Sequence, residues 1–365
     1  MTVDVFVNPS GQRANLGDSV LRRAYLDALR EGGRLHVYVG EHPGYVSGLA
    51  LRDEDVAYAS KAAFVRAATD LSRHRRVVFA ANAGEIVTGG NAFATTTWQQ
   101  LLISCARRSG GTAIAAGVSL RPSPAHARPL VAAQLRRMDL LSWRDPRSRE
   151  LAGGVGSVHP DWAFALGSPT PPPDQGARLR LAIALRGDRA APTRAWFDAI
   201  RAVVASRQLR PIVVVQVAHD APLAHAVGAE LGADVLDWSD GHHRDHELRV
   251  RAVYRESAAV VSDRIHALII GMTEGAVPIG LAASDVQKVS RTFAPVTAIA
   301  IAMHVGDAPE AATLATSHME AILDARTVLE RDLDRARDSL ASLRAEIAPR
   351  VGGALIQHAR DGGTA

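Results

Sequence analysis

The sequence predicts an α/β protein of two Rossmann-like, doubly wound domains followed by a C-terminal helical extension. Short β-rich apolar runs alternate with longer runs of helical periodicity, the pattern of a parallel sheet with crossover helices. A Pro/Gly-rich interval interrupts that alternation near the middle of the chain. The length of 365 residues exceeds the roughly 250–300 at which a single core stops growing. A composition of 47% hydrophobic and 22% charged residues excludes disorder, collagen-like repetition and a small stapled scaffold.

The first domain, residues 1–168, offers strands at Val3–Val7, Leu35–Val39, Val77–Ala80, Thr112–Ala115 and Leu140–Trp143. Between them Asp18–Glu31, Glu54–Ser72, Thr96–Arg108, Ala125–Met138 and Pro146–Gly153 carry apolar residues at helical spacing, several opened by Asp, Ser or Thr. Gly167–Arg178 then places four prolines and two glycines in a stretch without periodicity, which predicts a linker. The second domain, residues 178–310, repeats the alternation. Its strands are Leu179–Leu185, Pro211–Val217, Val235–Asp237, Ala259–Ser262 and Val277–Leu281, and its helices Thr193–Ser206, Ala221–Leu231, Asp245–Glu256 and Arg264–Glu274.

Residues 311–348 are charged and helix-favouring. Ile322, Leu329, Ala336 and Leu343 form one seven-residue series and Leu333, Leu340 and Ile347 another. That seam suits either a terminal helix packed back onto the domains or a coiled-coil contact in a homodimer. The Gly-rich residues after Pro349 read as a frayed end.

The single cysteine, Cys105, excludes an intrachain disulfide and a Cys-based zinc site, which fits a reducing cytoplasm. No basic segment leads into an apolar stretch at the start, and no run approaches the roughly 18 apolar residues of a spanning helix. The longest apolar runs, around Ala258–Met272 and Val296–Val305, are broken by Asp263, Arg264 and His304. A soluble, cytoplasmic protein is expected. The formal net charge is +4, yet only Lys61 and Lys288 are lysines among 42 basic residues, a bias best read as GC-rich coding. With no Lys/Arg block interleaved with aromatics, no nucleic-acid partner is expected. A few placed arginines suit a small anionic substrate.

In open parallel sheets ligands bind beyond the carboxyl ends of the strands, and this sequence is polar at those points. After the first strand comes the turn-rich loop Asn8–Asp18. There Asn15 and Gly17 can approach a ligand, and Asp18 can accept a hydroxyl proton or merely cap a helix. After the third strand, Asn82–Asn91 holds three glycines and Glu85, a candidate base or sugar-hydroxyl acceptor.

The most informative run is Val260–Met272. A buried strand ends at Ser262, which caps the next helix, so Asp263, Arg264, Ile265 and His266 fall in its first turn. Open N–H groups and the helix dipole attract anions there. Arg264 adds a planar fork and His266 a titratable proton, the alternative for Arg264 being a pair with Asp263 or another carboxylate. Arg186 ends the first strand of the same domain, and Lys288 follows the strand Val277–Leu281. Together Arg186, Arg264, His266 and Lys288 would hold a small, multiply anionic ligand. His242, His243 and His246 imitate a metal cluster but read as a solvated loop entering a helix; Cys105 and Trp143 read as core.

These residues resemble the polysaccharide pyruvyl transferase family over roughly residues 5–290. The likeness rests on Asn15-Leu-Gly-Asp18, the glycine-rich Ala83–Asn91 segment, and Trp143-Arg-Asp-Pro-Arg-Ser148 leading to His159-Pro-Asp-Trp-Ala-Phe164. It rests above all on Ser262-Asp-Arg-Ile-His-Ala-Leu268 followed by Pro278 and Lys288. Ala14 departs from the glycine the family often has there. The resemblance implies two Rossmann-like domains facing a cleft, as in GT-B glycosyltransferases. It also implies transfer of pyruvate from phosphoenolpyruvate, a co-substrate, onto two hydroxyls of a cell-surface or exopolysaccharide glycan as a ketal. It maps the donor to Arg186, Arg264, Ile265 and His266, and the glycan or lipid-linked acceptor to the first domain. A lipid-linked acceptor would bring the protein to the inner face of the membrane. The scheme requires no metal or other cofactor. Two other readings use the same residues: a GT-B nucleotide-sugar glycosyltransferase, for which no base- or ribose-binding carboxylate is evident, and a non-catalytic glycan- or anion-binding homologue.

Overall fold

The computed structural model describes residues 3–86, 92–121, 128–169, 173–238 and 241–352. The second half of the glycine-rich segment (87–91), the start of the helix expected from Ala125, the linker residues 170–172 and the Gly-rich end lie outside the described residues.

Eight parallel strands build the first sheet: β1 (Asp4–Val7), β2 (Arg34–Tyr38), β3 (Val56–Tyr58), β4 (Val77–Ala80), β5 (Gly84–Ile86), β6 (Ala113–Leu120), β7 (Leu140–Trp143) and β8 (Ser157–Val158). Their order is β3-β2-β1-β4-β6-β7-β8, with β5 beside β6. The alternation within β1 decides the layers. Val5 and Val7 face the helix α1 (Leu16–Arg30), whereas Phe6 packs on the other face against Phe64 of α3 (Lys61–Leu71), ring centroids 5.3 Å apart. The short helix α2 (Pro43–Leu49) packs against α1, and the layer that holds α3 continues with α4 (Ala92–Arg108), α5 (Arg128–Leu135) and α6 (Pro146–Leu151). The strand β6 runs five residues past its expected end through a bulge. Gly117 there adopts φ +74°, and a side chain at that position would collide with the indole of Trp162.

The second sheet is also parallel: β9 (Arg180–Ala184), β10 (Arg210–Val214), β11 (Asp234–Leu236), β12 (Ser257–Ser262), β13 (Val277–Ala282) and β14 (Ala302–His304), in the order β11-β10-β9-β12-β13-β14. Its helices are α7 (Arg194–Ser206), α8 (Ala221–Leu231), α9 (His243–Arg255), α10 (Ile265–Thr273) and α11 (Gln287–Phe293), followed by α12 (Ala311–Asp324) and α13 (Arg326–Gly352). In each sheet the winding reverses beside the first strand, between β1 and β4 and between β9 and β12. The crevice at such a switch point is where doubly wound folds bind ligands.

Several expectations are corrected. The single helix expected over Glu54–Ser72 is β3 followed by α3, because Val56–Tyr58 pairs with His36–Tyr38 and Ser60 caps the helix by accepting the Ala63 N–H. The elements α2, β5, β8 and β14 are too short to show a period and were not expected. His243 and His246 are buried, not solvated. His243 shares hydrogen bonds with Ser19 Oγ (3.0 Å) and Arg13 O (2.7 Å), and His246 with Val215 O (2.8 Å). The terminal extension is two helices, and Leu329, Leu333, Ala336, Leu340, Leu343 and Ile347 are all buried in the chain's own core. The heptad seam therefore packs against α1, α10 and the turn Trp162–Ala165, not against a second copy. Among the described residues no helix is long and apolar enough to cross a membrane.

One hydrophobic cluster runs through both domains, and a buried ion network crosses with it. Arg23 of α1 forks onto Glu247 of α9 with two 2.5 Å bonds, and Glu247 also accepts from Arg251 (2.7 Å) and Arg244 (3.1 Å). Burial by itself would raise the Glu247 carboxyl, but Arg23 and Arg251 hold it at about 2. A depressed carboxyl stabilises the fold fully above its unfolded value and loses that contribution as pH falls toward its folded value. Glu247→Gln should cost about 3–5 kcal/mol near neutral pH by stranding buried guanidiniums, and should flatten the loss of stability between pH 4.5 and 2. Urea unfolding at stepped pH measures both.

Candidate functional site

The carboxyl edges of the two sheets open on a shared cleft of about 750 Å³. The first domain contributes Asn15, Asp18 and Glu85 to its lining, and the second Arg186, Arg264, Ile265, His266 and Lys288. Seven basic side chains line this space against four carboxylates, so its field favours an anion.

On the second domain's side, β12 delivers the chain into α10. Ser262 Oγ accepts the Arg264 N–H (2.8 Å), and Arg264, expected in the first turn, is itself the N-cap residue. Its side chain makes no cap bond, leaving the start of α10 at Ile265 and His266 facing the cleft, a polarity that suits anions. The guanidinium of Arg264 turns away to fork onto Asp220, which is buried at 2% exposure. Arg186 follows β9 as expected and forks onto Asp188 (2.9 and 2.7 Å). Its main-chain N–H donates to Asp263 Oδ1 (2.9 Å), whose carboxyl burial pushes up.

His266 lies where the domains touch. A Cβ on Gly17 would sit 2.3 Å from its Nδ1 and 2.5 Å from its Cβ. Gly17, expected to contact a ligand, instead lets α1 approach the imidazole. Nε2 faces Asp161 Oδ2 at 3.6 Å, longer than a hydrogen bond, and is buried without another partner among the described residues. Nδ1 is left as the ring nitrogen for a ligand. Behind it Asp161 accepts from Arg144 (2.8 Å), and Arg144 donates to Ser119 Oγ (3.0 Å). Burial acts to raise the Asp161 carboxyl, yet the His266 imidazole, Arg144 and the Ala163 N–H hold it far below the usual range.

Asp18 is not the helix cap; Asn15 is, accepting the Gly17 N–H (3.1 Å). The Asp18 carboxylate accepts from Gln12 N (2.7 Å) and pairs with Arg22 (3.1 Å). Against the upward push of burial, Arg22, the Gln12 N–H and His266 keep it below the usual range. Glu85 sits among Arg121 (2.6 Å), Lys288 (3.5 Å) and Arg291 (3.6 Å). Despite burial, Arg121, Lys288 and Arg144 lower its carboxyl to about 2, so Glu85 is an anchor for basic side chains and a poor base. Lys288 opens α11, and burial lowers its ammonium pKa against the pull of Glu85.

Sequence reasoning gave no role to Arg22, Arg144, Asp161 or Asp220. Arg144 and Asp161 stood inside the two motif runs, the signal that could have singled them out. Asp220 had none, since its partner Arg264 lies 44 residues away. No metal site was expected. Asp188, His219 and Asp220 do bring three ligand atoms within 4.8 Å of one another, but both carboxylates already face a guanidinium.

The sequence model of the family described as polysaccharide pyruvyl transferase matches residues 15–285. No curated protein matches the sequence. Among solved structures the fold is similar to that of S. aureus MnaA with UDP, at 10% identity and TM-score 0.58, with 100% of both chains covered. It is also similar to a glycosyltransferase from Rickettsia africae ESF-5, at 9% identity and TM-score 0.56, covering 98% of this chain and 99% of that one. Anabaena Alr3699/HepE in complex with UDP and glucose follows at 12% identity and TM-score 0.54, covering 97% and 100%. At such identities the likeness shows the fold, two facing Rossmann-like domains of GT-B type with a C-terminal helix.

The contact at Gly17 gives a test of the seam. Alanine has the higher helix propensity by about 1 kcal/mol, so in open space Gly17→Ala would stabilise α1. Against His266 the sign should reverse, with a loss of about 1–3 kcal/mol from overpacking, read by chemical denaturation.

Proposed function

Because the chain belongs to the polysaccharide pyruvyl transferase family, we propose that it moves pyruvate from phosphoenolpyruvate onto two hydroxyls of a glycan as a ketal and releases phosphate. The observation that supports this best is the convergence on one cleft of the uncapped start of α10, Arg186 and His266 from one domain and Asp18 from the other. Phosphoenolpyruvate presents a phosphate and a carboxylate. Arg186, the first N–H groups of α10 and Lys288 suit those charges.

In the first step a sugar hydroxyl oxygen bonds to C2 of phosphoenolpyruvate while C3 takes a proton from His266, turning the methylene into a methyl group. The hydroxyl proton goes to Asp18, which is closer in electrostatic contact with His266 than Glu85 and less densely surrounded by cations. In the second step the neighbouring hydroxyl oxygen bonds to C2, and the bond from C2 to the phosphate oxygen breaks. Phosphate leaves with that electron pair and the second hydroxyl proton. Exchange with solvent restores His266 and Asp18. Asp161 serves by facing and orienting the imidazole, with Arg144 holding Asp161 in turn. The glycan, including a lipid-linked one, is assigned to the first domain's side of the cleft.

The competing donor is a nucleotide sugar, since two of the similar folds are described with UDP. Phosphoenolpyruvate should raise the melting temperature of the protein and UDP- or GDP-sugars should not, with the shift lost in Arg186→Ala; a shift with a nucleotide sugar alone would overturn the reading. His266→Ala should keep the phosphoenolpyruvate shift and lower kcat for phosphate release by about 10²–10⁴. An unchanged kcat would remove the acid role from His266.

A further inference from the structure

We infer that Asp188 is a built-in competitor for the anion-binding fork of Arg186, and that it sets how much charge a ligand must carry to occupy the site. The inference rests on the reading that this cleft takes an anionic donor, and it concerns Asp188, to which that reading gives no part.

Three carboxylates meet the two arginine-bearing loops, and they are not equivalent. Asp220 is buried at 2% exposure and does two things: it accepts both arms of Arg264, and it accepts the Gly187 N–H (2.7 Å) of the loop that carries Arg186. Asp263 accepts the Arg186 N–H (2.9 Å). These two fix the loop backbone and the Arg264 fork, and they are positioning residues. Among the described residues Asp188 holds no backbone of a neighbouring element. Its bonds go to Nε and Nη2 of Arg186 two residues earlier, with its side chain 49% and that of Arg186 23% exposed.

A guanidinium fork binds a carboxylate and a phosphate with the same two parallel bonds. A water-exposed pair of this kind contributes little, so a ligand anion can take the place of Asp188 at small cost. The released Asp188 nevertheless remains close and repels what replaced it. A single carboxylate on a ligand gains nothing over Asp188 itself. A dianionic phosphate gains, because its remaining charge meets the start of α10 and Lys288. Asp188 thus weakens all anions, and the residual preference is for those bearing more than one charge.

The test is calorimetric titration of the full-length protein with inorganic phosphate and, separately, phosphoenolpyruvate, in the wild type, Asp188→Asn and Asp220→Asn, with EDTA present and again with Mn²⁺. Asp188→Asn should lower Kd for both ligands by about three- to tenfold, and Asp220→Asn should raise it by tenfold or more. An unchanged or raised Kd in Asp188→Asn would overturn the proposal. So would Mn²⁺-dependent phosphate binding that Asp188→Asn abolishes, since Asp188 would then be a metal ligand beside His219 and Asp220. If phosphate binds more tightly to Asp188→Asn while phosphoenolpyruvate binds neither protein, the competitor role stands and the donor assignment falls. If phosphoenolpyruvate binds the wild type and Asp188→Asn alike, the competitor role falls and the donor assignment stands.

Discussion

Two backbone hydrogen bonds hold the site together: Ala218 N–H to Ala14 O (3.1 Å) and Leu16 N–H to Gln216 O (3.3 Å). They tie the loop that opens α1 to the loop that follows β10, so the carboxyl edge of one sheet is fixed against that of the other. The helix starts of α1 and α10 then meet so closely that position 17 has no room for a side chain. The groups at the seam take their places from this approach. His266 stands between Gly17 and Asp161, with Asp18 one residue from the contact, and α10 begins where the domains converge.

The same seam explains why the cleft is an electrostatic frame and not a loose collection of arginines. Most basic side chains in it have a carboxylate partner: Arg22 with Asp18, Arg144 with Asp161, Arg186 with Asp188, Arg264 with Asp220, and Lys288 with Glu85. Where the carboxylate is buried, the pair behaves as one rigid object, because breaking it would strand a charge in a poorly polarisable surrounding. Such pairs orient backbone and side chains but have little charge left to offer a ligand. Where the pair is water-exposed, as at Arg186, the fork is exchangeable. Burial of the partner thus sorts the cations into those that build the site and those that can bind in it.

Beyond the cleft, the helix α13 and the Glu247 network carry the load of joining the domains. The last helix returns from the second domain to the first, where the carbonyl of Arg350 accepts from Arg76 and Thr112. Its apolar seam completes the core shared by both domains. On the opposite flank, α9 presents His243 and Glu247 to α1. A molecule tied on both flanks and through one continuous core holds the cleft at a defined width, which suits the proposed transfer, in which two hydroxyls meet one carbon.

The alternation of short apolar strands and amphipathic helices was enough to place most elements of both sheets, and polar residues at strand ends pointed to seven of the eight candidate site residues that line one cleft, Ile265 being the one named through the family resemblance. Those signals are local: a strand's two-residue period and a loop's composition are written in neighbouring residues. Short elements such as α2 and β14 were illegible because they span too few residues to show a period. The roles within the site were illegible for another reason. Whether Arg264 binds or builds depends on Asp220, whether Glu85 is a base depends on three cations around it, and whether Gly17 meets a ligand or a histidine depends on a helix 248 residues along the chain. The sequence determined the elements and the chemistry available at their ends. Only the tertiary structure decided which charges neutralise one another, because ion pairing and burial follow distances in space that no spacing along a single chain encodes.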